Sequence, residues 1–415
     1  MSEDLDDVMR SWDQFSWDLV RPDVVYAFVS DKVLRQDRLT EGRVYVQNGV
    51  IIPTPDENVQ VVTIDLGKDT ILAPGFIDLQ INGGFGIDFT SSLGEDSSGL
   101  QEIASKLLQY GVTSFCPTIV SSTPDNYEKI LKNIRVFNGS KEGAGCLGAH
   151  LEGPFISLSH NGAHDPKCIF DYPKGIQDID RMYGKNLKNV AIVTLAPEKE
   201  NSMSIIKYLT EKNIVVSIGH TDASFEEASG AIENGARMVT HLFNSMTSFH
   251  HRIPGVIGLL GHVRHAEEPL YFGLVADNNH IHTTTLRIAH NAQPSATVLV
   301  SDGIAALGLG DGKHSLGSQI IKISGTRAVI DGTDTLSGSV TAIDQCVRNF
   351  LDVTGCSHAQ ALAAASYRPA QVLQISASKG NITHGADADF VVLDNELNVL
   401  STWIQGRLVH RAQIV

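Results

Sequence analysis

Short runs in which apolar and polar residues alternate, broken by Gly, Pro, Asn and Asp, fill the chain from Val24 to about Leu72: VVYAFVS, GRVYVQNGVII and VQVVTIDL. Alternation with period two puts the apolar side chains on one face, so these runs predict a small sheet of hairpins. The same texture returns after Lys379 and Gly380 in ADFVVLD, NVLSTWIQG and RLVHRAQIV. Two β-rich ends around a different middle predict one composite β domain built from both termini. Between them, strand-like runs alternate with helical stretches, the signature of parallel βα units. Eight can be read: PGFIDLQ, GVTSFCPT, CLGAHLE, VAIVTLA, NIVVSIGH, ARMVTH, LYFGLVA and TVLVSD. The economical closure of eight such units is a (β/α)8 barrel. The predicted class is therefore α/β, a (β/α)8 TIM barrel with a small composite β-sandwich domain. The expected boundaries are 1–22 for an N-terminal extension, 23–72 and 379–415 for the β domain, and 73–378 for the barrel.

The unit around His220 illustrates the reading. Ser224 followed by Glu227 is a capping-box pattern, Phe225, Ala228, Ala231 and Ile232 fall at helical spacing, and Gly235 supplies the stop. The next strand then begins at Ala236, and ARMVTH lies beside NIVVSIGH. In the acidic opening segment Leu5, Val8, Met9, Trp12 and Phe15 also fall at helical spacing, which predicts a short docked helix.

Four of the predicted strands end on a residue that can bind or work with a metal: Glu152, His220, His241 and Asp302. The active site of a parallel barrel lies at the carboxyl ends of its strands, so these side chains should converge. Two imidazoles and a carboxylate suit a divalent ion such as zinc, with one position open to water. Asp302 is then free to handle protons. Singly, each residue also reads as a capping carboxylate or a satisfied core histidine; their equivalent positions point to chemistry. His150, two residues before Glu152, faces the same way one layer deeper and reads as a buried hydrogen-bonding histidine. Long loops follow Glu152 and His241, where substrate binding is expected.

Composition narrows the partners. A chain of 415 residues with 42% hydrophobic content can fill one large domain and a small one. Its formal charge of -15, with acidic and basic residues interspersed, argues against nucleic acid or an anionic membrane. An anionic substrate must therefore meet a local basic pocket. Five cysteines lack metal or redox spacing, which favours a reducing compartment. No apolar run reaches the length of a membrane span, and no signal-peptide core follows Met1. A cytoplasmic location is expected.

In order along the chain, PGFIDLQINGGFG, HLEGPF with GAH beyond it, GHTDA, THLFNSM and SDG resemble the N-acetylglucosamine-6-phosphate deacetylases of the amidohydrolase superfamily. The similarity runs through the barrel and into the flanking β segments, where GADADFVVLD looks like the family's closing strands. Only the first twenty or so residues fall outside it. The resemblance implies hydrolysis of N-acetylglucosamine 6-phosphate to glucosamine 6-phosphate and acetate, in amino-sugar salvage. It implies metal ligation by Glu152, His220 and His241, acid/base work by Asp302, and a place for His164 near the scissile amide. It further implies sugar-phosphate contacts by Asn244, Ser245, Arg252 and His280, and a homodimer in which Arg252 reaches the neighbouring site.

Many barrel amidohydrolases carry His-X-His after the first strand to hold a second metal, whereas this chain has Gln80 and Asn82. That form implies one divalent ion per subunit, zinc first and iron or another divalent ion compatible, with Gln80 positioning water. Ser245 stands where the family pattern has alanine, and Asn278 where it has glycine; asparagine tolerates a positive φ.

An amide hydrolyses at neutral pH only with an activated water, a polarised carbonyl and a proton for the leaving nitrogen. On this reading the ion meets the first two needs, Asp302 moves the proton, and His164 holds the developing oxyanion. His250, His251 and Arg252 read blandly as solvated surface, but arginine's planar fork suits phosphate. Asp277 reads as a residue that orients a neighbour, and Gly310, Asp311 and Gly312 as a turn forming a lid over the sugar. Two other functions stay open: an amidohydrolase on another N-acyl sugar or a cyclic amide, and a non-catalytic barrel serving as a binding module. A neutral substrate would not need Arg252, and a binding module should have lost ligands that this chain keeps.

Overall fold

Eight parallel strands make the barrel: β1 (Phe76–Ile81), β2 (Val112–Ile119), β3 (Ala149–Glu152), β4 (Val190–Leu195), β5 (Val215–Ile218), β6 (Met238–Val239), β7 (Tyr271–Leu274) and β8 (Thr297–Leu299). They are the eight runs read from the sequence, and each pairs in parallel with the next. The computed structural model describes residues 3–171, 173–262, 269–316, 319–334 and 336–413; Met1, Ser2, Ile414 and Val415 of the terminal segments lie outside them. Every residue of β1, β2 and β3 is buried, as a parallel sheet covered by helices requires. Between β8 and β1 single contacts replace a ladder. The Asp302 N–H donates to the Gln80 carbonyl at 2.9 Å, the Asn82 N–H donates to Gly303 at 2.7 Å, and Ile81 bridges Gly303 in parallel. This seam brings Gln80 beside Asp302 across 222 residues of sequence.

Helices Ser98–Leu107, Pro124–Asn133, Ile176–Tyr183, Ser202–Glu211, Phe225–Glu233, Thr283–Ala292 and Ile343–Thr354 cover the barrel, while a 3-10 turn, Val256–Gly261, follows β6. The capping box forms as the sequence predicts: the Glu227 N–H donates to Ser224 Oγ at 3.1 Å and the Ser224 N–H to Glu227 Oε2 at 2.8 Å. Such a cap contributes about 1 kcal/mol, and it fixes where the chain leaves His220. Inside, Ile192, Val215 and Met238 join an apolar cluster. Two residues further along the same strands, and so on the same side, come the buried hydroxyls of Thr194, Ser217 and Thr240.

The chain ends share one eight-stranded sheet, running from Arg407–Arg411 through Val399–Ile404, Phe390–Leu393 and Ile71–Pro74 to Val25–Arg35, Arg38–Gln47 and Val50–Ile52, with Val61–Asp65 beside Val25–Arg35. Its core includes Phe28, Phe390 and Trp403. The N-terminal helix Glu3–Ser11 and the turn after it dock here through Met9, Trp12 and Phe15. Trp12 packs edge-on against Trp403 at 6.3 Å and donates its Nε1–H to the Asp65 carbonyl at 2.8 Å. One element went unread in the sequence: a three-stranded antiparallel sheet, Gly312–Leu316, Gln319–Ser324 and Arg327–Ile330, inserted after β8. Gly310 to Gly312 lead into it, and Asp311 Oδ1 accepts the Gly325 N–H at 2.8 Å.

Asp78 on β1 is fully enclosed and accepts the N–H groups of Gln80 and Ser301 at 3.3 and 3.2 Å. Burial pushes its carboxyl from 3.8 up to about 7, with the hydrogen bonds from Ser301 and Gln80 opposing only in part. The folded state thus keeps a proton that the unfolded chain releases. The associated stability is fully present below pH 3.8 and is lost as pH rises toward about 7, on the order of 4 kcal/mol at about 1.4 kcal/mol per unit. Asp78→Asn keeps the shape without the titration. Calorimetry of the metal-free proteins should show the Tm difference moving in favour of the variant as pH rises from 3.8 to about 7 and levelling off above; a difference independent of pH would mean that Asp78 is ionised throughout.

Candidate active site

The ends of β3, β5 and β6 bring three atoms together. His241 Nε2 lies 3.0 Å and His220 Nε2 3.3 Å from Glu152 Oε1, and the two nitrogens are 3.1 Å apart. Ligands held at about 2.0–2.1 Å by a tetrahedral ion stand roughly 3.3 Å from one another. The three atoms therefore fit one face of such a site, slightly drawn in. All three residues are buried.

A fourth residue competes for the same description. Glu152, His164 and His220 also carry ligand-type atoms within 4.8 Å of one another, with His164 Nε2 at 3.6 Å from Glu152 Oε2. Hydrogen bonding separates the roles. The Ser121 N–H donates to His164 Nδ1 at 3.1 Å, so in the neutral ring the proton sits on Nε2 and faces the site as a donor. His220 is the reverse: its Nδ1 lies 2.8 Å from the His160 carbonyl, which can only accept, so Nε2 presents a lone pair. This is the arrangement of a metal-binding imidazole.

Burial alone would raise the Glu152 carboxyl, but the imidazoles of His164, His220 and His241 around it outweigh that and hold it well below the usual carboxylate range. Burial lowers His220 despite Glu152 beside it. For His241 the lowering by burial is overcome by the hydrogen bond and charge of Glu152 and by Asp302, so it is raised.

Asp302 is joined to this cluster by amides. Gln80 Nε2 donates to Glu152 Oε1 at 2.9 Å and to Asp302 Oδ1 at 3.2 Å, and Asn82 Nδ2 donates to Asp302 Oδ1 at 2.8 Å. Carboxylates only accept, which fixes both amide orientations. Gln80 Oε1 and Asn82 Oδ1 are left buried without a partner.

The chemical positions are backbone outliers: φ is +50° at His220, +27° at His241 and +47° at Asp302. Each such residue costs on the order of 1–3 kcal/mol and persists only where its surroundings hold it. Part of the support is a chain of hydroxyls beneath the site. His150 Nδ1 lies 2.9 Å from the Leu79 carbonyl, His150 Nε2 2.7 Å from Thr194 Oγ1, Thr194 2.7 Å from Thr240 Oγ1, and Thr240 2.5 Å from Ser217 Oγ. The Leu79 carbonyl cannot donate. For a neutral His150, every hydroxyl proton in the chain therefore points toward it. Gly219 rests on this layer, where a Cβ would meet Thr240 Cβ at 2.8 Å and Thr194 Cγ2 at 2.9 Å, so only glycine lets His220 follow.

The remaining sequence candidates fall less centrally. His280 Nδ1 lies 2.6 Å from Asp277 Oδ2, and Asp277 also accepts the N–H groups of Asn279 and His280, so Asp277 orients its neighbour. Asn244 turns its amide back to the His241 carbonyl at 3.2 Å. Ser245 and Asn278 both take left-handed backbone, at φ +51° and +62°. Arg252 is exposed, without a side-chain hydrogen bond or ion pair among the described residues. Sequence reading missed Ser121, which lies just past β2, two residues beyond Ile119 and three beyond the end of the run GVTSFCPT at Thr118. It also missed His160, which acts through its carbonyl and leaves no side-chain signal.

Comparison with known families matches residues 71–409 to the Amidohydrolase family. The chain belongs to the amidohydrolase family. Within it, the N-acetylglucosamine-6-phosphate deacetylase of Homo sapiens is 47% identical over 395 residues, covering 94% of this chain and 96% of its own length. An N-acetylgalactosamine-6-phosphate deacetylase of Escherichia coli O157:H7 is 30% identical over 372 residues, covering 89% and 95%. The solved N-acetylglucosamine-6-phosphate deacetylase from Pasteurella multocida superposes with a TM-score of 0.81 at 25% identity, covering 92% of this chain and 99% of its own. Amidohydrolases are metal-dependent, and the Glu/His cluster around Glu152 could hold an ion.

Glu152→Gln, His220→Ala and His241→Ala should each lower metal affinity by more than the 10–100-fold typical of an outer partner, measured as metal content after dialysis. Because His241 is raised above its ordinary 6.5, a proton competes with the ion. Affinity should therefore fall as pH drops through the raised His241 range and level off above it. Titration with a metal indicator at several pH values checks this, and a pH-independent affinity would refute it.

Proposed function

We propose that this chain is a metal-dependent hydrolase that removes the N-acetyl group of N-acetylglucosamine 6-phosphate, giving glucosamine 6-phosphate and acetate in amino-sugar salvage. The observation that carries the chemistry is the junction of two functions at one point. A three-atom cation cluster and a carboxylate, Asp302, are linked through the single amide of Gln80. Glu152, His220 and His241 would hold a divalent ion, zinc in our proposal, which when bound would lower the pKa of water to about 7 and polarise the acyl carbonyl. Gln80 Oε1, buried and without a partner, is suited to accept from the attacking water and orient it. Asp302 has Oδ1 occupied by two amides, which leaves Oδ2 to take the water proton and return it to the leaving nitrogen. His164, with Nε2–H facing the cluster, donates to the developing oxyanion.

Release of acetate by the metal-loaded protein tests the reading. Strong preference for N-acetylglucosamine 6-phosphate over the unphosphorylated sugar is expected. The N-acetylgalactosamine-6-phosphate relative favours one alternative, the C4 epimer, which belongs in the same assay; faster turnover of that epimer would replace the substrate assignment. Asp302→Asn should keep its metal and lose about 10²–10⁴ in kcat, whereas near-normal turnover would remove Asp302 from its role.

The sugar-phosphate contacts proposed for Asn244, Ser245, Arg252 and His280 depend on assembly. Arg252 is exposed and flanked by Phe249 and Ile253, themselves 59% and 65% exposed, which supports a homodimer in which Arg252 enters the partner's site. Arg252→Ala and Asp302→Asn chains, each inactive alone, should regain activity when mixed and re-formed as heterodimers. Absence of recovery in verified heterodimers would place Arg252 in its own subunit's site or outside any. A cytoplasmic location belongs to the same proposal, supported by cysteines without redox spacing. No helix among the described residues is long and apolar enough to cross a membrane.

A further inference from the structure

Asp222 lies two residues beyond His220, at the rim, with its side chain 43% exposed. Its carboxylate collects three donors from a single turn of the loop after β3. The hydroxyls of Ser157 and Ser159 reach Oδ2, and His160 Nε2 lies 2.8 Å from Oδ1. Asp222 is itself anchored from behind: its N–H donates to Glu198 Oε1 at 2.9 Å, and the neighbouring Thr221 hydroxyl donates to Glu198 Oε2. Three side-chain donors from residues 157 to 160 on one carboxylate exceed what an ordinary surface ion pair assembles, and charged acceptors make the stronger hydrogen bonds.

That turn grips His220 from both sides. The Ser157 N–H donates to the His220 carbonyl at 2.8 Å, and the His220 ring donates through Nδ1 to the His160 carbonyl at 2.8 Å. These two bonds hold a histidine at φ +50° and select the tautomer that leaves Nε2 open. The chain then passes Gly162, at φ +56°, where a Cβ would come within 3.2 Å of His220 Cε1, and arrives at His164. One segment therefore carries both the carbonyl that orients His220 and the imidazole that faces Glu152. Asp222 is where that segment is tied down.

We propose that Asp222 is a positioning residue, a latch that fastens the 157–164 segment across the end of β5 and so sets His220 for the metal and His164 for the acyl oxygen together. The inference rests on the metal-dependent reading of the cluster. Outer partners of metal ligands typically govern affinity or activity by 10–100-fold, and a partly exposed residue can be changed without opening a hole in the core.

The test compares Asp222→Ala, Asp222→Asn and the double variant Ser157→Ala/Ser159→Ala with the parent protein loaded with zinc. Asp222→Ala should release zinc to a chelator at least about tenfold faster, exchange the amide hydrogens of residues 157–164 faster, and lower kcat with little change in KM. Asp222→Asn can still accept from His160 and donate to the serine hydroxyls, and should restore most of the zinc retention. The serine variant should reproduce the alanine phenotype with Asp222 intact, which keeps the test decisive if Asp222→Ala folds poorly. Parent-like zinc release and exchange in Asp222→Ala, or a loss of kcat with both unchanged, would overturn the latch alone. A parent protein that holds no stoichiometric metal would overturn the metal reading and the latch with it.

Discussion

A carboxylate buried to 3% exposure and faced by three imidazoles is the constraint on which the site turns. Taking the charge of Glu152 out of water costs several kcal/mol, and only positive charge and hydrogen-bond donors of good geometry offset it. His164 supplies a donor, while His220 and His241 aim nitrogens at the same oxygen. Two such nitrogens 3.1 Å apart repel unless one of them carries a proton or a cation lies beside them. A proton on His241 answers that need in the absence of metal, and a divalent ion answers it better. The raised His241 and the depressed Glu152 are the same fact seen from its two partners.

The rest of the barrel can be understood as what keeps these groups close despite their cost. Positive φ at His220, His241 and Asp302 turns each side chain off the end of its strand toward a common point, at an expense no isolated strand would sustain. Below them, the hydroxyls of Ser217, Thr240 and Thr194 run as a directed chain to His150 and end on a backbone carbonyl. Fully satisfied buried polar networks are rigid, whereas a broken one strands a buried donor or acceptor. Above them, the 157–160 turn closes on His220. At the seam of the barrel, where β8 and β1 lack a ladder, Gln80 and Asn82 hold Asp302 in place with side-chain amides.

The division of labour between the two sheets is equally physical. Ile71–Pro74 belongs to the composite sheet, and β1 begins two residues later, so the scaffold from both chain ends is continuous with the strand that carries Gln80. The docked N-terminal helix and the turn after it complete that scaffold's core through Met9 and Trp12, which are fully buried. No metal-type cluster forms there among the described residues.

Much of this was legible in the sequence because it depends on local pattern. Period-two alternation, helical spacing and the Ser224–Glu227 cap need only neighbouring residues, and eight strand–helix repeats leave few ways to close. The convergence of Glu152, His220, His241 and Asp302 followed from that closure, since every strand end of a barrel faces one rim. What the tertiary structure alone decided are relations between segments far apart in the chain. The His164 tautomer depends on a backbone N–H of Ser121, and the orientation of His220 on a backbone carbonyl of His160. Backbone groups are the same at every position and carry no sequence signal. The inserted sheet after β8 was hidden for a different reason: its short apolar runs match a strand or a helix equally well until a partner strand is present. Arg252 marks the other limit, because it is exposed and nothing in its local pattern separates a binding arginine from solvated surface.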